Sequence, residues 1–202
     1  MHQSSLEKMG SFREQYLSSK EGERLHILDL GSMDINGSYR LLFENPGWTY
    51  QGIDMAAGQN VNIVLQSPYC WREIPSDCAD VLISGQAFEH IEFFWITILE
   101  IARVLKPGGL CCLIAPSSGY QHRYPLDCWR FYPDGFSALT RFARLDLLKV
   151  STQWDPLPRY SDDSNEWQDT VLICQKPVNS LFYAWKQRLR RFIIHKILLL
   201  GL

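Results

Sequence analysis

Short apolar runs that end in small polar residues alternate along this chain with stretches whose apolar positions recur every three to four residues. Leu25–Leu30 is such a run. It ends at Asp29-Leu30-Gly31-Ser32, which predicts a buried strand meeting a glycine turn. Thr49–Met55, Val61–Leu65, Ala79–Gly85 and Leu110–Ala115 predict further strands, and Leu145–Gln153 and Thr170–Gln175 predict two late ones. Helical spacing predicts helices over Ser38–Phe43, stopped by Asn45-Pro46-Gly47, and over Ile91–Leu105, ended by Lys106-Pro107-Gly108-Gly109. A third covers Pro133–Phe142, with Pro133 suited to its first turn. Ahead of the first strand, Leu6, Met9, Phe12, Tyr16 and Leu17 predict an amphipathic helix that lids the domain. Asp155–Gln168, rich in Pro, Ser and Asp, reads as a long exposed loop.

Strands alternating with helices predict an α/β fold with a mostly parallel sheet, and strands that are apolar throughout predict helices on both of its faces. In such sheets ligands bind at the carboxyl ends of the strands, near the topological switch point. The polar residues ending each strand are therefore the candidates: Asp29, Gly31, Asp54, Gln86, Glu89, His90 and the loop after Pro116.

At 202 residues and 46% apolar, the chain suits one continuous core. Residues 25–176 are the expected domain, with a helical extension at 1–24 and a separate helix at 177–202. The formal charge of −2, from 20 basic and 22 acidic residues, argues against a surface built for nucleic acid. Six cysteines include the adjacent pair Cys111-Cys112 inside an apolar run and no Cys-x-x-Cys, so reduced thiols are expected, not disulfides or zinc. No metal site is expected, because no acids cluster at ligand spacing after the fourth strand.

The termini differ from this pattern. Met1–Lys20 is polar and shows no signal peptide, so a cytoplasmic location is expected. From Leu181 to Leu202 there are no acids, and Lys186, Arg188, Arg190, Arg191 and Lys196 lie among Phe182, Trp185, Phe192, Ile193 and Ile194. Charge interrupts this segment too often for it to span a bilayer. As a basic amphipathic helix it fits peripheral contact with a membrane surface, a homodimer interface through 181–202, or its own domain.

Asp54 ends the second strand about twenty residues beyond the glycine turn, the position of an acid that accepts hydrogen bonds from ribose hydroxyls. The turn itself, Asp29-Leu-Gly-Ser-Met-Asp-Ile-Asn-Gly37-Ser38, has Met33 where a dinucleotide site wants its second glycine, and Asp34 beside it. Neither suits a pyrophosphate. Both are compatible with a cationic, phosphate-free ligand, whose amino group Asp29 and Asp34 can meet.

The sequence here resembles the class I S-adenosylmethionine-dependent methyltransferases, of the small type-11-like group. The resemblance rests on Ile27-Leu-Asp-Leu-Gly-Ser32, Tyr50-Gln-Gly-Ile-Asp-Met55, Ala79-Asp-Val-Leu-Ile-Ser-Gly-Gln-Ala-Phe-Glu-His90 and Glu100-Ile-Ala-Arg-Val-Leu-Lys-Pro-Gly-Gly-Leu110, and covers residues 25–175. It implies a Rossmann-like, doubly wound, seven-stranded sheet with a final antiparallel hairpin. It also implies S-adenosyl-L-methionine as cofactor, leaving as S-adenosyl-L-homocysteine. By resemblance Gly31 and Ser32 lie against the cofactor, Asp54 holds its ribose, Met55 packs on its adenine, Gln66–Trp71 border the adenine, and Gln86 and His90 run along its edge. The family's second and third glycines are Met33 and Ile35 here. Asn36 and Gly37, with Ser38, are the candidates to take over the close approach. Ser67 stands where the family often has an acid that holds the adenine.

The loop after the fifth strand, Ala115-Pro-Ser-Ser-Gly-Tyr120-Gln-His122-Arg123-Tyr124-Pro125-Leu-Asp127-Cys-Trp129-Arg130, is dense in reactive groups. His122 and Asp127 are candidates for a base and its orienting partner. Tyr120, Tyr124 and Trp129 can wall an acceptor pocket and favour a cationic methyl donor. Arg123 and Arg130 can hold a carboxylate or oxyanion. The same residues also read as a structural loop, with Trp129 in the core and Arg130 paired to Asp127.

The expected activity is methyl transfer to a small-molecule acceptor, first a hydroxyl of a sugar or secondary metabolite, second a lipid-like acceptor at a membrane. Two other readings remain: a nicotinamide oxidoreductase on the same sheet, which Met33 opposes, and a non-catalytic cofactor-binding or scaffold module.

Overall fold

A computed structural model describes residues 2–178 and, beyond them, Trp185, Leu189, Phe192, Ile193 and Lys196. The expected C-terminal helix of 177–202 thus lies outside the described residues. The sheet has seven strands: β1 (Leu25–Leu30), β2 (Trp48–Asp54), β3 (Ile63–Val64), β4 (Ala79–Gly85), β5 (Leu105–Ala115), β6 (Asp146–Thr152) and β7 (Thr170–Gln175). Their order is β3-β2-β1-β4-β5-β7-β6. Neighbours are parallel except β7, which runs antiparallel to both β5 and β6. The order reverses between β1 and β4, so the residues after those two strands flank the switch point.

Period-two alternation sorts the strand residues between two cores. Leu28, Leu30, Leu82, Cys111, Leu113 and Leu172 face helices α2 (Phe94–Val104) and α3 (Pro133–Ala143). Ile27, Val81, Ile83, Cys112, Ile114 and Ile173 face α1 (Gln3–Leu17), which supplies Met9, Phe12 and Leu17. Leu6, expected on the same apolar stripe, is 42% exposed. All six cysteines are free thiols.

Three elements depart from expectation. The helix over Ser38–Phe43 is a single 3-10 turn, Arg40–Phe43. Asp34 Oδ1 caps the Gly37 amide and Ser38 Oγ caps the Arg40 amide, so the chain spends this stretch in turns before Pro46 ends it. The sheet face thereby left open beside β1 is covered by α1, from ahead of the sheet. Second, Lys106-Pro107-Gly108-Gly109 ends α2 but also begins β5: Leu105 pairs with Ala79 and the register shifts before Val81 pairs with Leu110. Third, the 155–168 segment is not wholly exposed. It forms a short helical turn, Ser164–Trp167, in which Ser164 and Trp167 are buried. Gly119, at φ +99°, makes room for the Trp167 ring.

Candidate active site

A cavity of about 850 Å³ opens at the carboxyl ends of β1, β2 and β4. Asp29, Gly31, Ser32, Asn36, Gly37, Asp54, Met55, Gln86 and His90 all line it, as do Tyr120, His122, Arg123 and Tyr124 from the loop after β5. The strands bring together residues that lie nearly a hundred positions apart.

The β1 end is tightly built. Gly31 sits at φ +75°, and a Cβ there would lie 2.5 Å from Ala87 Cβ, so the turn can pass only as glycine. Met33, in place of a family glycine, donates its amide to Asp54 Oδ2 at 3.0 Å. Asp54 Oδ1 accepts the amides of Met55 at 2.7 Å and Ala56 at 3.2 Å. The carboxylate is thus fixed in orientation and retains lone pairs toward the cavity. Asp34 spends an oxygen on Gly37 and is not among the lining residues. Asp29 is almost fully buried, and burial pushes its carboxyl up to about 7, helped by the Asp54 charge and opposed by the Tyr50 hydroxyl that donates to it. Leu65, Pro68 and Tyr69 complete the far wall. Trp71 and Thr97 both donate to the Pro68 carbonyl, which holds that wall to the first turn of α2.

The loop after β5 is tied down from below. The Glu89 carbonyl accepts the amides of Cys128 and Trp129. Arg130 grips Asp127 with two bonds, 2.6 Å to Oδ1 and 2.9 Å to Oδ2. This guanidinium is the main reason the Asp127 carboxyl is held down at about 2. Asp127 Oδ2 in turn accepts the His122 amide at 2.7 Å and lies 3.4 Å from His122 Nδ1. Asp127 therefore acts on His122, not on the cavity. Trp129 and Arg130, expected against the acceptor, turn away from this cavity. They line a separate concavity of about 550 Å³ with Phe94, Tyr132 and Trp154. Trp129 packs edge-on against Phe94 and Trp95, and Arg130 is committed to Asp127 and the Tyr120 carbonyl.

Several lining groups have no local sequence signal. His2 reaches the cavity from ahead of α1 and Trp167 from the connection between β6 and β7, with Asp162 and Asp163 also lining it. The His122 and Trp167 rings meet edge to face at 4.6 Å. Asp169, fully buried, accepts from Ser4 at 2.6 Å, Gln86 at 2.9 Å and faces His2 at 3.1 Å. Those bonds outweigh burial and hold its carboxyl below the ordinary range. Gln86, at φ +58°, is the residue through which this latch joins β4 to α1. Glu89 is also fully buried, and its carboxyl is pushed up to about 8 by burial.

Residues 28–113 match the family model of a methyltransferase domain. No curated protein matches the chain in sequence. Among solved structures, a putative sarcosine dimethylglycine methyltransferase from Galdieria sulphuraria is 16% identical, with 85% of this chain and 86% of that one covered and a TM-score of 0.62. The 1,6-didemethyltoxoflavin-N1-methyltransferase of Burkholderia thailandensis, with 1,6-didemethyltoxoflavin and S-adenosylhomocysteine bound, is 14% identical over 86% of this chain and 78% of that one, TM-score 0.63. A methyltransferase of Haloferax volcanii in complex with the Trm112 activator is 16% identical over 85% and 94%, TM-score 0.56. Residues 28–113 thus carry the pattern of a methyltransferase domain, and the chain shares the fold of these methyltransferases. Among the described residues no helix is long and apolar enough to cross a membrane.

Proposed function

We propose that this enzyme methylates a hydroxyl of a small molecule, a sugar or secondary metabolite, with His122 as the group that takes the hydroxyl proton. The supporting observation is that His122, braced by an Arg130-clamped Asp127, opens into the same cavity as Asp29 and Asp54.

The cavity suits the cofactor. Its volume is ample for a nucleoside-sized ligand and a small acceptor. The glycine at 31 lets backbone approach closely, and the walls alternate apolar and acidic patches. S-adenosylmethionine, when bound, supplies a methyl carbon already activated on a sulfonium. Asp54 would accept the ribose hydroxyls, since its two oxygens are oriented by three amides. Asp29 would meet the ammonium group. Met55, Leu65, Pro68 and Tyr69 would enclose the adenine. Tyr120, Arg123 and Tyr124 form the rim through which an acceptor enters. Trp167 limits water beside His122. The enzyme's main work is alignment, with His122 assisting only at the acceptor oxygen.

Calorimetry with S-adenosylhomocysteine, and separately NAD, on the wild type and Asp54→Ala tests the cofactor half. Micromolar binding of the first, weakened about tenfold or more in the variant, is expected; preference for NAD would overturn the reading. Product formation over a panel of sugars and phenols tests the acceptor half. His122→Ala should cut turnover by about a hundredfold with cofactor affinity retained. Loss of affinity alone would remove His122 as the base.

A further inference from the structure

We propose that Glu89, His90 and His122 form a site for a divalent first-row transition-metal ion at the acceptor end of the cavity. One donor atom from each lies within 4.8 Å of the other two. The expectation of no metal rested on acids close together in sequence. The fold instead gathers one acid and two histidines, the second of them 32 positions beyond His90.

The surroundings are those of a built site. Glu89 is completely buried, yet neither carboxylate oxygen has a hydrogen-bond partner among the described residues. A buried acid left without partners is costly, and a cation is the partner that would remove that cost. His90 Nδ1 contacts the Leu126 carbonyl, which can only accept, so Nδ1 carries the proton and Nε2 the lone pair. Nε2 is the atom that lies 3.6 Å from Glu89 Oε1. His122 Nδ1 faces Asp127 at 3.4 Å and has no hydrogen-bond partner among the described residues. A proton on that nitrogen would face the Asp127 carboxylate that Arg130 holds, and would leave the lone pair on Nε2. Metal-bound histidines are typically braced in this way, by a carbonyl or a carboxylate on the other ring nitrogen.

The distances are near those required. Two donors on one ion with bonds of about 2.1 Å sit roughly 3 to 3.5 Å apart, so no pair has to close by more than about 1.5 Å. The His122 side chain, 33% exposed, has the freedom to do so. One carboxylate and two imidazoles favour zinc, cobalt, iron or manganese over magnesium or calcium, which take oxygen ligands. Three protein ligands leave positions open toward the acceptor. An oxygen acceptor bound there would lose its proton to solvent at a lower pH. For its use, though not for its binding, this site rests on the methyl-transfer reading. With an ion present, His122 holds the ion and does not take the proton itself.

Cobalt(II) is the probe. Titrated into the full chain, it should bind one ion per chain with visible d–d absorption. Glu89→Gln and His122→Ala should each weaken it about tenfold or more, and magnesium should not displace it. Thermal midpoints show whether the variants fold. His122→Ala, at a partly exposed position, carries the test if Glu89→Gln does not. No absorption with wild type, or absorption unchanged in folded variants, overturns the site. Calorimetry with S-adenosylhomocysteine on the same samples separates the two readings. Cofactor binding without cobalt binding removes the metal and leaves methyl transfer, whereas cobalt binding without cofactor binding removes the use proposed for the ion.

Discussion

Asp29 is 2% exposed, and its carboxyl moves from 3.8 to about 7, chiefly through burial. Without cofactor the folded chain therefore keeps Asp29 protonated below neutrality, while the unfolded chain loses that proton near pH 3.8. Between those values the folded state carries a proton that the unfolded state lacks. The stability contributed is full below about pH 4 and is lost as the pH rises to about 7. At about 1.4 kcal/mol per pH unit the whole loss is roughly 4 kcal/mol, of which about 2.5 kcal/mol falls between about pH 5 and about pH 8. Asp29→Asn keeps an acceptor for the Tyr50 hydroxyl and cannot ionise. Urea unfolding of wild type and variant across this range should show the variant gaining about 2.5 kcal/mol on the wild type, and the difference cancels the other titrating groups. Saturating S-adenosylhomocysteine should favour the wild type instead at the upper end, if Asp29 meets the ligand's ammonium as proposed. A difference curve flat to within about 0.5 kcal/mol would refute the reasoning, since Asp29 would then be ionised in the folded chain throughout.

Gly31→Ala forces a side chain into a left-handed turn against Ala87, and should cost about 1–3 kcal/mol in thermal or urea unfolding and about tenfold in S-adenosylhomocysteine affinity by calorimetry. Asp169→Asn keeps the size of the latch but removes its charge, and should cost about 1–3 kcal/mol; hydrogen exchange should rise in α1 before it rises in α2. Arg130→Met frees Asp127 while keeping some of the packing. It should lower turnover with little change in cofactor affinity, measured separately, if Arg130 serves His122 from behind and does not touch the acceptor.

Much of the sheet is legible in the sequence. Leu25–Leu30, Ala79–Gly85 and Thr170–Gln175 are strands with the bounds their apolar runs predict, because buried strands leave little polar residue to blur an end. The sheet side of the cavity is legible for a related reason. Gly31 directly follows β1 and Asp54 is the last residue of β2, so local order already fixes where they emerge. The match of residues 28–113 to a methyltransferase domain model covers this same stretch. Periodicity overstated the Ser38–Phe43 helix, because its apolar spacing says nothing of the caps at Gly37 and Arg40 that hold the chain in turns.

The sequence alone determined the sheet, its order of local elements and the acids at the ends of β1 and β2. Each of these follows from neighbours in the chain: apolar runs, turn residues and the step from strand to loop. Tertiary structure alone decided the rest of the site. His2, Trp167 and Asp169 carry no motif, yet α1 and the 162–169 segment close on the cavity and are latched there through Gln86. Glu89, His90 and His122 meet because β4 and β5 lie side by side in parallel and release their loops at one edge. Trp129 and Arg130, a few positions further along, line the other concavity, Trp129 packed on Phe94 and Trp95 and Arg130 paired to Asp127. Burial and long-range pairing set these positions, and a linear pattern records neither.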